Sequence, residues 1–596
     1  MSCRVPFHRN LYVIGTLARR VSFATQQRRA FNLAYAIHLD LIASGDDAGV
    51  ANKNVAIIGA GLAGLTANLA FAALNAAVRV YDEKGKEMEH LTDASHRFIH
   101  PSLNFWPSEP LEASTHFPGM NWIMDDCEAV KTQVIKDSET LRRTSDVLRQ
   151  RLLKPFFSRR VDRIVSNLDN PETYKLMQFT QPGDTTSALL PIAYPSLVSG
   201  ASRTDFEIVV VATGFGRDGA TDPGSPDPNN PRYLTPPYWV RETDVIAQNQ
   251  SLTDYDNIVI SGTGDGGLVE LIRVLWGDFK DNDVFTEALR AMLDFQSLQH
   301  GIKRIESDAA KKYFDSQLHT SSGPDMNAVM AEIELRLSEH YLTVVADVLA
   351  NTPIGEDLLA AHVSWKGRAC AGITPPIALI GKKPTPFELG TAPLHKVLIA
   401  FAYHHQLFRY VPVETWDFEP AQGIDDVYGG AIPRPFPQTV TITRPGDTNS
   451  FSLERSLLFQ RHGAHRDLSI FEELPQFGSL IERIQRLQLM YADTDWLDPT
   501  TFDNYMECFY ASVANAADKH TAHYESIADT FFREYYHHGI YRKDGRFVAY
   551  KPSGSALRTE PTRRALPISL MPSKVPSHFF AIQVVSGPPP PELQPI

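Results

Sequence analysis

Residues 55–64 read VAIIGAGLAG, and residues 258–267 read IVISGTGDGG. Each is a short apolar run feeding a Gly-x-Gly-x-x-Gly turn, and the reading of the first decides the fold. Val55 to Ile58 are all apolar, as a strand buried on both faces of a parallel sheet requires. Gly59 suits a tight turn, Gly61 leaves room for a pyrophosphate to reach the backbone, and Gly64 lets the next helix lie close on the sheet. That helix opens at Leu62 and Ala63, so its leading amides and dipole face the phosphate position. A second strand, AAVRVY, runs into Asp82 and Glu83. Asp82 stands 23 residues after Gly59, where a carboxylate accepts hydrogen bonds from a ribose diol. Asn75, just before this strand, tolerates left-handed backbone better than most residues.

Strand, glycines, helix, strand and terminal acid together resemble the superfamily of FAD-dependent oxidoreductases with a Rossmann-type flavin domain. That superfamily includes glutathione-reductase-like enzymes, flavin monooxygenases and amine oxidases. FEIVVVATGFG, residues 206–216, extends the likeness. It looks like the family's ATG segment, which would set Ala212, Thr213 and Gly214 against the cofactor. The resemblance implies FAD at the first turn and is silent on substrate. A glycine pair after the acid, common in amine oxidases and many monooxygenases, is missing, so the subgroup stays open. Between the two elements, FFSRRVDRIVSNLDNPETYKLMQFT alternates apolar and polar residues and turns at DNPE, the pattern of an antiparallel meander.

The second turn, with Gly262, Gly264 and Gly267, follows the ATG strand. There, reductases and many monooxygenases of the superfamily carry a nicotinamide unit, which implies NAD(P)H. Such a unit also needs a second apolar strand, ending in an acid for NAD or followed by basic residues for a 2′-phosphate. The chain continues instead with GDFKDNDVFTEALRAML, charged and helical. Two readings stay open: a working NAD(P)H site, or a turn that packs on the flavin domain and shapes the active site. Asp265 would lie near a bound phosphate or cap the helix.

The chain has 596 residues, 43% hydrophobic and 21% charged, enough for several subdomains. A formal charge of −13 argues against a nucleic-acid partner and for a small-molecule substrate. The four cysteines are scattered and form no C-x-x-C pair. This spacing excludes a dithiol redox centre of that type and fits a reducing, cytoplasmic setting. No apolar run is long enough to span a membrane. The arginine-rich first 39 residues admit an organellar presequence, but the apolar rhythm of Phe31, Leu33, Ala34, Ile37 and Leu41 predicts a helix packed on the flavin domain.

The expected architecture is α/β, a Rossmann-type FAD-binding domain with a meander insertion, a second glycine-turn unit and a helical substrate or cap domain. The boundaries read as a helical segment over 1–50, the flavin domain over 51–216, and a loop plus second turn over 217–280. A helical domain over 281–412, a mixed part over 413–580 and a proline-rich tail over 581–596 complete the chain. The loop 217–240, dense in Pro, Gly, Asp and Asn, is long enough to be a lid.

DASHRFIHPSLNFWP follows the first unit and carries His96, Arg97 and His100. Arg97 is a candidate to pair with phosphate or a substrate carboxylate, with ordinary surface ion pairing as the alternative. LLFQRHGAHRDL, residues 457–468, contains an Arg-His-Gly similar to the nucleophile motif of histidine phosphatases. Too little of that fold surrounds it, so Arg461 and His462 are assigned to a substrate pocket instead. His404, His405, His520, His523, His537 and His538 form no metal-ligand set and read as structural or surface residues. No residue is identified as a catalytic base. The functional expectation is an FAD-dependent oxidoreductase with oxygen or NAD(P)H as second partner, against a non-catalytic flavin-binding sensor or scaffold.

Overall fold

The strand Asn54–Ile58 is the centre of the first sheet, and its four apolar residues are buried. A computed structural model describes residues 22–92, 94–107, 119–144, 146–167, 173–179, 187–189, 205–214, 255–277, 282–318, 326–369, 376–420, 438–462 and 469–474, with short pieces around 5–14, 114–117, 235–239, 540–551 and 583–586. The first sheet runs in the order Leu11–Val13, Ile208–Val211, Asn54–Ile58, Ala77–Tyr81, all parallel. The helix Leu62–Ala73 makes the crossover. Because Ala67, Ala70 and Ala73 are small and fully buried, the helix Phe23–Ala43 can lie close against it. Ser22 starts that outer helix through a reciprocal box: the Thr25 amide donates to Ser22 Oγ (3.2 Å) and the Ser22 amide to Thr25 Oγ1 (2.9 Å). The N-terminal segment also contributes the edge strand Leu11–Val13, which the helical reading of residues 1–50 did not include.

Between Ala77–Tyr81 and Ile208–Val211, the strands Arg163–Ser166, Tyr174–Phe179 and Ser187–Leu189 form an antiparallel meander. The alternating pattern at 156–180 foretells the first two of these strands.

The second sheet has the order Arg409–Pro412, Ile377–Gly381, Asn257–Ser261, Ser450–Gln460, Gln438–Thr443, Thr415–Pro420. Its first four strands are parallel and its last two antiparallel to their neighbours. Ile377–Gly381 corrects the sequence reading, which found no second strand after the second turn. The strand exists, but helices between Asp283 and Ala369 separate it from Asn257–Ser261. The segment 376–412 therefore belongs to this sheet, not to the helical excursion. Trp276, at the end of the helix Asp265–Trp276, anchors the excursion by stacking on Phe285 (5.3 Å between centroids) and donating to Leu358 O (3.0 Å). Lys396, fully buried, donates to Glu306 Oε1 (2.8 Å) and ties the excursion to the helix Pro393–His404.

Among the described residues no helix is long and apolar enough to cross a membrane, and no cluster of His, Cys, Asp and Glu is arranged to hold a metal. His520, His523, His537, His538 and most of the proline-rich tail and of the loop 217–240 lie outside the described residues.

Candidate cofactor sites and the junction between them

At the first turn the three glycines have distinct geometries. Gly59 has φ +109°, and its amide donates to Tyr81 O (2.7 Å). A Cβ there would lie 2.4 Å from Ala212 O, so the ATG strand excludes any side chain. A Cβ on Gly64 would lie 1.9 Å from Gly59 O, which is why the helix can sit on the turn only with glycine. Gly61 differs, since a Cβ there meets only His90 Cε1 at 3.7 Å. Its open face, and a helix start with no side-chain cap, leave the leading amides of Leu62 and Ala63 available to an anion. Asp82 stands at the strand tip as expected and accepts from the amides of Ala60 (2.5 Å) and Lys84 (2.7 Å). Glu83 is exposed beside it, 3.3 Å from Lys84 Nζ. The Ala212 amide donates to Ile58 O (2.8 Å), Thr213 is exposed, and Gly214 has φ +72°.

The second turn repeats the glycine geometry of the first. Gly262 has φ +126°, and its amide donates to Ile380 O (2.9 Å). A Cβ on Gly262 would lie 2.1 Å from Arg461 O, one on Gly267 2.0 Å from Gly262 O, and one on Gly264 meets nothing within 4 Å. The Arg461 amide donates to Ser261 O (2.7 Å). Arg461 and His462 thus stand where Ala212 and Thr213 stand in the first unit, and this is the structural role of the stretch that looked like a phosphatase motif. In the pairing register Ile380 faces Ser261 as Tyr81 faces Ile58. The position of Asp82 is taken by Gly381, followed by Lys382 and Lys383. Lys382 is exposed, and Lys383 Nζ is 2.6 Å from Glu334 Oε2.

Acids make the second turn unlike the first. Asp265 Oδ1 accepts from the Ala392 amide (2.8 Å) and pairs with His395 Nδ1 (2.7 Å), and Thr263 Oγ1 donates to Glu388 Oε1 (3.0 Å). The Asp265 carboxylate is held by this crossing segment. His462 pairs with Ser261 Oγ (2.8 Å) and stacks on Trp416 at 5.3 Å; burial, then the charge of Lys382, lowers its pKa.

Where the two units meet, Arg97 of the first reaches Glu270 of the second. Glu270 is fully buried on the helix after the second turn and is shared with Arg273 (3.0 Å, the same helix) and Arg461 (3.2 Å). Arg97 Nε donates to Tyr238 O (2.9 Å), and the guanidinium carbon lies 4.0 Å from the Tyr238 ring centroid. Burial alone would raise the Glu270 pKa; Arg97, Arg461 and Arg273 reverse this and hold the carboxyl below its ordinary range. Burial, reinforced by Arg97 and Arg273, pushes His96 down to about 2, so its imidazole is neutral. Burial also takes His100 down to about 4 and raises the Tyr238 hydroxyl. Sequence reasoning picked out Arg97 but missed Glu270, Arg273 and Tyr238. The one available signal was an acid on the buried face of LVELIRVLW, a type rarely found there unless paired.

A cleft of about 420 Å³ lies at the other end of the first sheet, lined by Arg9, Lys53, Asn54, Asp205 and Glu207. It sits at the amino ends of the strands, away from both turns. Lys53 in it is already paired with Asp46 (2.9 Å) and Glu207 (3.3 Å).

A family model described as "Alanine dehydrogenase/PNT, C-terminal domain" matches residues 26–146. No curated protein matches the chain. Solved structures similar to it include the Bacillithiol Disulfide Reductase Bdr (YpdA) from Staphylococcus aureus, at 9% identity and TM-score 0.34, covering 71% of this chain and 80% of that one. OTEMO in complex with FAD and NADP (form 1) is similar at 10% identity and TM-score 0.30, covering 70% of this chain and 72% of that one. The fold is α/β with two Rossmann-type units.

Proposed function

We propose that the chain is an FAD-dependent oxidoreductase that acts on a small organic substrate and takes NADP(H) as its second partner. The observation that carries the reading is the paired geometry of Gly61 and Gly264. A Cβ on either would meet no backbone atom of the protein, and each stands at an uncapped helix start, so each unit can receive a pyrophosphate. Asp82 suits a ribose diol at the first. Gly381, Lys382 and Lys383 replace the acid at the second, where a cation suits a 2′-phosphate and an acid would repel it. When bound, FAD supplies hydride acceptance at flavin N5. The protein's own part is to orient: Asp82 braces the first turn through the Ala60 amide, and Arg97, Glu270 and Tyr238 fix the two units against each other.

Asp265 and Glu388 favour a second reading, in which the second turn takes no nucleotide and oxygen is the electron acceptor. Anaerobic mixing of the FAD-loaded protein with NADPH or NADH separates the two. Bleaching of the flavin band near 450 nm (a general property of flavins), faster with NADPH, supports the NADP(H) reading. A band untouched by either coenzyme leaves the oxidase or a non-catalytic role, and a protein that takes up no FAD ends the proposal.

A further inference from the structure

We propose that His90 is a ligand of the pyrophosphate at the first turn, donating a ring N–H to a phosphate oxygen of bound FAD, an inference that rests on the FAD reading above. The face of Gly61 that a side chain would fill is the face a pyrophosphate approaches, and the atom across it is His90 Cε1, 3.7 Å from where a Cβ would lie. Cε1 is bonded to both ring nitrogens, so either of them is one bond from that point. The turn itself brings the ring there. The Met88 amide donates to Ala60 O (3.0 Å), and Met88, at φ +47° in a left-handed backbone uncommon for a residue with a side chain, starts the single helical turn Glu89–Leu91. Leu91 is fully buried and anchors this turn, while His90 stays exposed on it. Trp239 holds the ring from a second direction: it meets His90 edge to face (6.1 Å between centroids) and stacks on Phe23 (5.6 Å) at the start of the outer helix.

Among the described residues His90 makes ring contacts but no side-chain hydrogen bond, so no partner fixes its tautomer and either nitrogen can carry the proton. Desolvation, then the charges of Lys131 and Lys84, lower its pKa to about 4, so the ring is neutral and has one N–H to give. The same two lysines place positive charge beside it: Lys131 Nζ donates to Thr92 Oγ1 (2.7 Å), and Lys84 Nζ lies 3.3 Å from Glu83 Oε1. The neighbouring acids are occupied by backbone. Glu89 Oε2 accepts from the Gly85 amide (2.7 Å), and Asp82 accepts from the amides of Ala60 and Lys84. A pyrophosphate over Gly61 therefore has the leading amides of Leu62 and Ala63 on one side and the His90 N–H on the other. At Gly264 no side chain stands within 4 Å of the corresponding point, so the second turn has no counterpart of His90.

The test uses the full chain and reads FAD affinity by flavin fluorescence, the fold by circular dichroism, and the phosphorus resonances of bound FAD by NMR. His90→Phe keeps an aromatic ring against Trp239 and removes the donor. It should bind FAD about tenfold more weakly and move at least one phosphorus resonance, with the circular dichroism and the visible flavin spectrum as in wild type. His90→Gln loses the ring but keeps an N–H at similar reach, and should bind FAD within about threefold of wild type. A merely structural role reverses this order, because Phe preserves the packing and Gln does not. That reversed order, or a His90→Phe protein with wild-type affinity and unmoved phosphorus resonances, overturns this inference and leaves the FAD reading standing; failure of the wild-type chain to bind FAD overturns both.

Discussion

The two glycine turns share a backbone and differ in their surroundings. In the first, Leu62 and Ala63 open the helix, Asp82 ends the second strand, and small residues of the ATG strand close the turn. In the second, Asp265 opens the helix, lysines follow the strand, and Arg461 closes the turn with its side chain sent into a buried ion cluster. The comparison teaches that the glycines specify a chain path, while the residues between and after them decide what the path can hold. Gly59 with Gly64, and Gly262 with Gly267, are required by the protein's own atoms. Gly61 and Gly264 are not required by any of them.

That distinction can be broken at several points. The largest effect belongs to the cluster joining the units: Glu270→Ala leaves three buried guanidinia sharing no carboxylate and should cost about 3–5 kcal/mol in urea unfolding. Loss of less than about 1 kcal/mol would mean that the cluster relaxes without it. Next come the closing glycines. Gly64→Ala and Gly267→Ala each press a Cβ on a backbone oxygen and should cost about 1–3 kcal/mol or more, whereas Gly61→Ala and Gly264→Ala should change stability by under about 1 kcal/mol. A bulkier Gly61→Leu should keep the circular dichroism spectrum and lose the bound FAD; retention of a full complement would refute the pyrophosphate placement. Acid titration sharpens the picture further. His96 is neutral in the fold with its pKa lowered to about 2, while the unfolded chain takes up that proton below about 6.5. Stability contributed by this site therefore falls as pH drops below 6.5, by about 1.4 kcal/mol per pH unit, and His96→Gln should flatten that limb. The smallest effect distinguishes the units by ligand: Lys382→Ala should weaken NADPH about tenfold, ~1.4 kcal/mol, and leave NADH unchanged.

The first unit was legible because its parts are contiguous. Strand, turn, helix, strand and Asp82 fall within 55–82, so local periodicity and spacing suffice. The second unit was half legible for a matching reason. Its second strand arrives only at Ile377, after helices that any window reading assigns to a separate body. Its closing strand ends in Arg461 and His462 where the family-like signal would be Ala-Thr, and the chemistry of those side chains drew attention away from their backbone. The strand Leu11–Val13 is three residues long, too short for a pattern. Arg97 stood out as a lone basic residue in a promising segment, but Glu270 is 173 residues away, and pairing at that distance is written in packing, not in spacing.

The helical excursion has a consequence for the chain as it emerges from the ribosome. The first sheet has all its strands once Val211 has been made; the second must wait for Ser450–Gln460, which lies between Asn257–Ser261 and Gln438–Thr443. At translation rates of about 5–20 residues per second the two completions are separated by roughly 12–50 s. The strand Asn257–Ser261 lacks both neighbours until Ile377–Gly381 has been made and lacks the second until Ser450–Gln460 follows, and is open meanwhile to the mispairing and chaperone capture that late-closing parallel sheets invite.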